Sequence, residues 1–543
     1  TYLATEVRKL LAEHGTKSTL IASYSNTAAN EIASRFAGTG LSPETRMVGT
    51  LHSHAYRSIG YDNTVALDGK IIRDWNSNFG DKWFITPDGN SSGRSTKGVT
   101  WDDRLAQLDK LRAEMAHEDT WRDREDVDDD FLVFAKKWKE WKKDVGAIDY
   151  TDMIELAYQR ARDGERAPGN PEFIISDESQ DMTPLETALT LAWGTHVQNM
   201  LLAGDDDQAI NGWRGGSATP MIDLNGPNVA SKTLTKSHRV PEHVRLVAEN
   251  WIRYVSHRYE KVYTARTRME GDVDTGEIIG GTAFRVPESL ANPGLLVRIN
   301  RDLDAGKDVM VIASCNYMLE QLIINLKKEG IPFHNPYRPA ETRWNPLGGA
   351  GREDSMSTAE RVHRYLVLAD RDWTGDDVQA WMELVKIQDA GMVSNAKRIV
   401  ATWGRDPVPY EDIVSLFKTD EALDWATQPD PDWLASCLLK AKAPYAAYPL
   451  EIARQHGHTV LAQKPRVVVG TIHSVKGAGA DIVYLAPDVS AAMREDLMRT
   501  GNRDEVTRLF YVGMTRAKES LRVLAPSGGA HMSRLIPAEL EVS

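Results

Sequence analysis

Two adjacent acidic residues, Asp177 and Glu178, are the strongest candidates for chemistry in this sequence. They follow the apolar run 173–175, which is typical of a buried strand, and they open the sequence DESQD at 177–181. One carboxylate at a strand end can hold Mg²⁺ while the next orients and deprotonates an attacking water, which nucleotide hydrolysis requires. A strand followed by an acidic helix cap is the alternative interpretation, and this segment alone leaves it open.

A second polar segment, GDDDQAINGWRG at 204–215, follows the apolar run 201–203. A glycine-containing polar turn after a buried strand is expected at the ligand-binding edge of a parallel sheet. Gln208 is suited to sensing a γ-phosphate, and Trp213 is suited to stacking on a base, an interaction worth about 1–3 kcal/mol that tolerates any base sequence. A core position is the alternative for Trp213.

Two more segments, 467–477 and 505–517, carry polar and basic residues beside apolar runs. Arg516 lies between a predicted helix and a predicted strand. An arginine so placed can reach the phosphates of a neighbouring lobe, and such arginine fingers contribute roughly 10³–10⁵ in rate where they are measured.

The elements that position these residues are short strands, apolar almost throughout and separated by helical stretches. This pattern indicates parallel sheets covered on both faces. The predicted strands fall into two groups, so the expected fold is α/β with two parallel-sheet lobes, each carrying a mainly helical insertion. The predicted first lobe comprises residues 1–60 and 149–230 with the insertion 61–148, and the second comprises 231–340 and 463–543 with the insertion 341–462.

Helical stretches supply further predictions about individual elements. Residues 2–14 have helical spacing and Gly15 follows as a stop signal, while Ser357 and Glu360 have the spacing of a capping box. Trp138 and Trp141 lie among lysines, a mixture that suits nucleic-acid binding. Their spacing nevertheless favours a core-facing stripe on a helix with solvated lysines around it.

Composition limits the function classes without choosing one. The 543 residues are 41% hydrophobic and 26% charged, as in a globular protein, with no apolar run long enough for a membrane span and no secretion leader. Cys315 and Cys437 are expected to be buried free thiols, which points to a reducing, cytoplasmic location. The net charge of −13 disfavours nonspecific DNA coating, but it permits a strand held in a locally basic groove.

Seven segments, in order along nearly the whole chain, resemble the motifs of the UvrD/Rep family of superfamily 1 DNA helicases. They are SYSNTAANE at 23–31, VGTLH at 48–52, DESQD at 177–181, GDDDQAINGWRG at 204–215, SHR at 237–239, GTIHSVKG at 470–477 and RLFYVGMTRA at 508–517. The resemblance implies two RecA-like lobes, ATP and Mg²⁺ as cofactors, and translocation along single-stranded DNA, with 3′-to-5′ polarity. It further implies single-strand/duplex junctions as partners, and protein partners through the second insertion are an added expectation.

By the same resemblance, Asp177 would be the Mg²⁺ ligand, Glu178 the catalytic base and Gln208 the γ-phosphate sensor. Arg239 and Arg516 would be offered to the phosphates. Nucleotide-binding positions would be Thr1, His238 (in place of a usual adenine-stacking tyrosine), Lys476 and Gly477. Positions touching single-stranded DNA would be Tyr24, Asn26, Thr50, His52, Trp213, Arg214, Thr471 and His473. For His52 and His54, an ordinary pair of polar residues after a strand is the alternative interpretation, and metal binding is disfavoured. The pair Asp149-Tyr150, which precedes the acidic strand in the family, is expected to be structural.

The sequence departs from the family pattern in three places. It begins at Thr1, where the family has just completed its Gly-Lys-Thr phosphate loop, so ATP binding is expected to be severely weakened and the chain to be truncated. Gly479 replaces a usual glutamate, which removes a sugar or phosphate contact. Asn211 replaces a usual aromatic residue, which removes a possible stacking platform.

Two other functions compete with a helicase motor for DNA repair, replication or recombination. One is a single-strand-binding or regulatory module that has lost ATPase activity, and retention of Asp177, Glu178, Arg239 and Arg516 disfavours it. The other is the motor subunit of a helicase–nuclease complex. No nuclease-like acidic cluster follows the last motif, so a nuclease would be a separate chain that a pull-down would identify.

Overall fold

In the computed structural model of the protein, the apolar runs of the sequence form parallel strands. The structure describes residues 2–15, 18–23, 47–60, 65–87, 101–271, 273–338, 343–348, 356–501, 503–528, 530–532 and 535–542. The chain divides into two units. The first comprises Thr1–Thr233, Val255–Glu260 and Asp504–Arg508, and the second comprises Leu234–Tyr254, Lys261–Arg503 and Leu509–Ser543.

The first unit contains both helices and strands. Its described elements are α1 (Tyr2–His14), β1 (Thr19–Ser23), β2 (Val48–Thr50), α2 (Leu51–Ile59), β3 (Val65–Ala66), α3 (Gly69–Trp83), α4 (Trp101–Ala113), α5 (Asp129–Val145), β4 (Ala147–Ile148), α6 (Tyr150–Arg162), β5 (Phe173–Ser176), α7 (Pro184–Gly194), β6 (Asn199–Leu202) and α8 (Thr219–Ile222). The predicted helix 2–14 is confirmed, and Gly15 follows it with a φ of 81°.

A parallel sheet forms the centre of the first unit. Within the described residues its strands lie in the order β2-β1-β5-β6, with Leu20 opposite Ile174 and Ile174 opposite Met200. Apolar side chains of α1, α2, α6 and α7 pack into one core with β1 and β5. The prediction that residues 201–203 form a buried strand is partly wrong. The strand covers 199–202 and is half-exposed, because it is the last strand of the described sheet and has a neighbour on one side only.

The helices α3, α4 and α5 of the first unit share an aromatic core. Trp138 and Trp141 on α5 are 1% and 5% exposed and pack against Trp75 of α3, with ring centroids 4.9 and 5.2 Å away. The core position predicted for these two tryptophans is confirmed. Asp128 caps the start of α5 by accepting from the Phe131 N–H at 2.7 Å.

A buried ion network joins α4 and α5 to α6. Asp149 caps α6, and its carboxylate accepts two hydrogen bonds from Arg112 of α4, at 3.2 and 3.0 Å, and one from Lys142 of α5. Burial would raise the pKa of Asp149, but Arg112 and Lys142 lower it to about 2. The structural role predicted for Asp149 is confirmed. Its neighbour Tyr150 is 69% exposed, so the structural role predicted for Tyr150 is not supported by burial.

The second unit contains a larger parallel sheet and a long run of helices. Its described elements are α9 (Glu242–Ile252), β7 (Thr267–Glu270), β8 (Val273–Ile278), β9 (Thr282–Arg285), α10 (Gly294–Asp304), β10 (Val309–Ala313), α11 (Glu320–Lys328), β11 (Phe333–His334), α12 (Thr358–Leu366), α13 (Gly375–Met382), α14 (Ala396–Val400), α15 (Tyr410–Val414), α16 (Asp420–Ala426), α17 (Pro431–Ser436), α18 (Ala443–His456), β12 (Val467–Thr471), β13 (Ala480–Leu485), α19 (Ala491–Thr500), α20 (Asp504–Met514) and β14 (Ala517–Val523). The first residues of α20, up to Arg508, belong to the first unit.

The sheet of the second unit has the order β11-β12-β10-β13-β14-β9 within the described residues, and every pairing in it is parallel. Its central strand, β10, is buried along its whole length, as its apolar sequence predicts. The α/β fold with parallel sheets is therefore confirmed. The four-part division of the chain, with its boundaries, stays a prediction.

The helical run from α12 to α18 shares one apolar core with this sheet. It begins as predicted, because the Ser357 hydroxyl accepts from the Glu360 N–H at 3.0 Å and caps α12. Both cysteines are free thiols. Cys437 is buried, which raises its pKa to about 12, but the burial predicted for Cys315 is wrong, because its position just after β10 leaves it partly exposed. No helix among the described residues combines the length and the apolar character that crossing a bilayer requires.

Candidate functional site

The two acids at the end of β5 lie at the carboxyl edge of the first unit's sheet. The backbone N–H of Asp177 donates to the Ala22 carbonyl on β1 at 3.0 Å, and both acidic side chains are partly exposed. Glu178 has a φ of 57° and a ψ of 36°, a left-handed conformation that is rare for residues other than glycine, asparagine and aspartate. Such strain persists only where surrounding contacts enforce it, and it concentrates at functional sites.

Gln180 links Glu178 to the polar turn after β6. Its side-chain amide donates to the Glu178 carboxylate at 2.6 Å, while its amide oxygen accepts the Asp205 N–H at 2.9 Å. The Gln180 side chain is fully buried. A Cβ on Gly204 would lie 2.6 Å from the Gln180 amide oxygen, so this close approach requires a glycine. Sequence reasoning assigned no role to Gln180, although an amide between carboxylates was a visible signal.

In the turn at 205–208, both the side chain and the backbone of Gln208 donate hydrogen bonds to Asp205. The Gln208 amide donates to the Asp205 carboxylate at 2.5 Å, and the Gln208 N–H donates to the Asp205 carbonyl at 2.8 Å. Carboxylate oxygens of Asp205, Asp206 and Asp207 lie within 4.8 Å of one another. Glu178 and Gln208, two predicted catalytic residues, are therefore connected through Gln180 and Asp205.

A second cluster collects residues predicted to touch DNA. Thr50 caps α2 by accepting from the Ser53 N–H at 3.2 Å, and His52 lies in the first turn of that helix. Glu186 of α7 lies 3.7 Å from the His52 ring nitrogen and accepts a hydrogen bond from Arg214 at 3.3 Å. Glu186 was missed in the sequence. The only signal for it there is its capping-box spacing with Thr183.

The surroundings of His52 lower the pKa of its imidazole. Burial lowers its pKa, Glu186 opposes this, and Arg214 lowers it further. The ring of Tyr150 meets His52 edge-on, with centroids 5.7 Å apart. Trp213, next to Arg214, is 63% exposed, so it is not a core residue. Exposed aromatic rings beside an imidazole and an arginine offer surfaces on which bases can stack.

In the second unit, Arg239, Gly477 and Arg516 come together around Gly479. The Arg239 guanidinium donates to the Gly477 carbonyl at 2.9 Å. The Arg516 side chain is fully buried and donates to the carbonyls of Val512 at 2.8 Å and Ala478 at 3.2 Å. A Cβ on Gly479 would lie 3.1 Å from both Arg239 Cδ and the Arg516 carbonyl oxygen, so the glutamate expected by family resemblance has little room here.

Three of the remaining predicted residues of the second unit, Thr471, His473 and Lys476, lie at or just after the carboxyl end of β12. Thr471 ends β12, and its hydroxyl accepts the Ser474 N–H at 3.2 Å. His473 begins a short 3₁₀ turn that Lys476 follows, and His238 is exposed. Buried Asn335, which sequence reasoning missed, donates to the Val469 carbonyl at 3.1 Å. Three predicted residues, Thr1, Tyr24 and Asn26, lie outside the described residues.

The two parallel sheets, with polar and charged loops after their strands, define an α/β protein, and open parallel sheets bind ligands outside the carboxyl ends of their strands. Residues 1–226 match the UvrD/REP helicase N-terminal domain, and residues 450–527 match the UvrD-like helicase C-terminal domain. Together these regions make up more than half of the chain, which belongs to the UvrD/Rep helicase family.

Named relatives agree with this assignment at low identity. The chain is 22% identical over 374 residues to the ATP-dependent DNA helicase UvrD2 of Mycobacterium tuberculosis, covering 67% of this chain and 49% of the relative. It is 22% identical over 213 residues to the ATP-dependent DNA helicase Rep of Buchnera aphidicola, covering 38% and 32%. The YjcD protein of Bacillus subtilis is 23% identical over 258 residues, covering 45% and 34%. The chain thus spans a third to a half of the length of these relatives.

Proposed function

We propose that this chain is the motor of an ATP-dependent DNA helicase that moves along single-stranded DNA. The hydrogen-bonded chain Glu178–Gln180–Asp205–Gln208 is the observation that carries the proposal. It connects a carboxylate suited to proton abstraction with an amide suited to reading a γ-phosphate. A strand end that served only as a helix cap would need neither the left-handed backbone of Glu178 nor the buried bridge at Gln180.

The residues of this hydrogen-bonded series have defined tasks in the proposed reaction. Glu178 accepts the proton of the attacking water, and Gln180 fixes the orientation of its carboxylate. Gln208 donates to the γ-phosphate oxygens in exchange for its bond to Asp205. Arg239 and Arg516 are proposed to stabilise the negative charge that develops on the transferred phosphoryl group.

Oxygen donors at the end of β5 fit a magnesium ion. Mg²⁺ prefers carboxylates and waters in an octahedral arrangement, and Asp177 is a partly exposed carboxylate beside a polar loop. Bound there with ATP, the ion would neutralise phosphate charge. His238, Lys476 and Gly477 are proposed to contact the nucleotide.

The DNA strand is proposed to run over the cluster formed by Thr50, His52 and Arg214, with bases stacked on Trp213. On the second unit, Thr471 and His473 are proposed as further contacts. Family resemblance supports a 3′-to-5′ direction, a preference for single-strand/duplex junctions, and work in DNA repair, replication or recombination. The free thiols support a cytoplasmic location.

ATP hydrolysis that depends on single-stranded DNA tests the proposal. It is measured on the whole protein that contains this chain, with Glu178→Gln as the variant. Loss of a general base lowers the rate by about 10²–10⁴, while single-strand affinity, measured by anisotropy of a labelled oligonucleotide, stays the same. Glu118→Gln is the matched control, because Glu118 is exposed in the insertion, 63% by side chain, and belongs to no motif.

The alternative functions predict different results. A protein that binds single strands without hydrolysing ATP would be a binding module, and the motor proposal would be wrong. Hydrolysis that Glu178→Gln leaves unchanged would remove Glu178 from the reaction. Strand displacement from substrates with a 3′ or a 5′ tail would decide the direction.

A further inference from the structure

Two chain segments that are distant in sequence pack against the polar turn after β6. Residues 255–260 and 504–508 belong to the first unit together with this turn. Asp504 joins them, because its carboxylate accepts from the Ser256 N–H at 3.1 Å and from the Ser256 hydroxyl at 2.6 Å. Nothing in the sequence pattern indicates this arrangement.

Arg258 holds the turn through a two-point ion pair. Its guanidinium donates to both carboxylate oxygens of Asp207, at 2.9 and 2.6 Å. The Asp207 side chain is 1% exposed and that of Arg258 is 16% exposed, so water screens the pair little. Two parallel hydrogen bonds fix orientation as well as distance.

Two further contacts hold Asp206, the residue before Asp207. The Tyr259 N–H donates to the Asp206 carboxylate at 2.8 Å, and Arg508 donates to the Asp206 carbonyl at 2.9 Å. Three consecutive carboxylates, packed within 4.8 Å, repel one another, and Arg258 supplies a positive charge in direct contact with the most buried one. Without Arg258 the buried Asp207 carboxylate would lose its two-point ion pair, which is strongly disfavoured, and a shift of the turn towards water would lower this cost.

Movement of Asp207 displaces Gln208, because the two residues are consecutive in one 3₁₀ turn. We propose that Arg258 is a positioning residue of the ATPase: its ion pair with Asp207 sets the place from which Gln208 reads the γ-phosphate. This inference rests on the proposed function and names a residue outside the family-like motifs of this sequence.

A double-mutant cycle on DNA-stimulated ATP hydrolysis by the whole protein tests the inference. Its variants are Arg258→Gln, Arg258→Lys, Asp207→Asn and the double variant Arg258→Gln/Asp207→Asn. We expect Arg258→Gln to lower kcat by about ten- to a hundred-fold, as for a small displacement of a group that acts on the reacting phosphate. The KM for ATP should change much less, since the loss falls on the transition state.

The other variants separate positioning from folding. Lysine keeps the charge but not the two-point geometry, so Arg258→Lys should stay folded, by circular dichroism, and still lose kcat. The double variant should be no slower than Arg258→Gln, because both substitutions remove the same pair. Arg122→Gln is the matched control, since Arg122 is 75% exposed and lies 3.8 Å from Asp129.

The possible outcomes are distinguishable. If the unsubstituted protein shows no DNA-stimulated hydrolysis, the proposed function is wrong and the inference falls with it. If the unsubstituted protein is active and folded Arg258→Lys keeps the full kcat, the inference alone is overturned. Additive losses in the double variant would overturn it too, because the two residues would then act separately.

Discussion

Replacing Gln180 by methionine tests whether its buried amide holds the two polar loops together. Methionine has a similar length and volume, so packing changes little. The variant loses the hydrogen bond to the Glu178 carboxylate, worth about 1.5–3 kcal/mol, and it removes the acceptor of the Asp205 N–H, which costs about 1–3 kcal/mol. Because the two losses share one side chain, they need not add in full, and we expect the free energy of unfolding to fall by about 2–4 kcal/mol.

Urea denaturation followed by circular dichroism measures this change, and ATP hydrolysis by the whole protein measures its consequence. Gln198→Met is the matched control, because the Gln198 amide also donates to a carboxylate, that of Glu172 at 2.8 Å, but lies exposed. We expect the control to stay within about 0.5 kcal/mol of the unsubstituted protein. If Gln180→Met matched its control in both stability and hydrolysis, the bridge would have no role and the reasoning would be refuted.

Three further predictions concern other parts of the fold. Gly479→Ala should displace Arg239, whose Cδ lies 3.1 Å from the added Cβ position, and should lower the hydrolysis rate without unfolding the protein, a result checked by kinetics and thermal melting. The pKa of fully buried His54 is lowered, mainly by burial, from 6.5 to about 4, so native stability should fall as the pH drops from 6.5 towards 4, by up to about 3 kcal/mol. In His54→Gln, urea midpoints measured across that range should show a shallower fall, and an unchanged slope would contradict the assignment. Trp138→Ala should cost about 3–5 kcal/mol by opening a cavity in the aromatic core, whereas a DNA-binding role would instead show as lost oligonucleotide affinity at unchanged stability.

Local signals in the sequence were enough to predict most of the fold. Strand β10 was predictable because a central parallel strand is buried on both faces and must be apolar throughout. Helix α1 and its stop at Gly15, and the cap of α12 at Ser357, follow from interactions within a few residues. Strand β6 was predicted less well, because exposure at the edge of a sheet depends on which strands are neighbours.

The candidate site was predictable in its residue types but not in its connections. Family-like motifs identified Glu178 and Gln208, and these assignments stay predictions. The left-handed backbone of Glu178 could not be predicted, because a non-glycine residue adopts it only under contacts made by other segments. The pair of Arg258 with Asp207 joins residues 51 positions apart, a separation at which sequence spacing carries no information about contact.

Arg239 and Arg516 were predicted to share one task, yet the structure gives them different surroundings. Arg239 is partly exposed and has a carbonyl acceptor at Gly477, whereas the guanidinium of Arg516 is enclosed by carbonyls of its own unit. For Arg516 to act on a phosphate, its hydrogen bonds to Val512 and Ala478 must be exchanged for bonds to phosphate oxygens. A phosphate group carries negative charge and can accept two parallel hydrogen bonds from one guanidinium, so bound nucleotide can drive this exchange. In the proposed reaction, the buried Arg516 can therefore act only if nucleotide binding rearranges the loop around Ala478, next to Gly479.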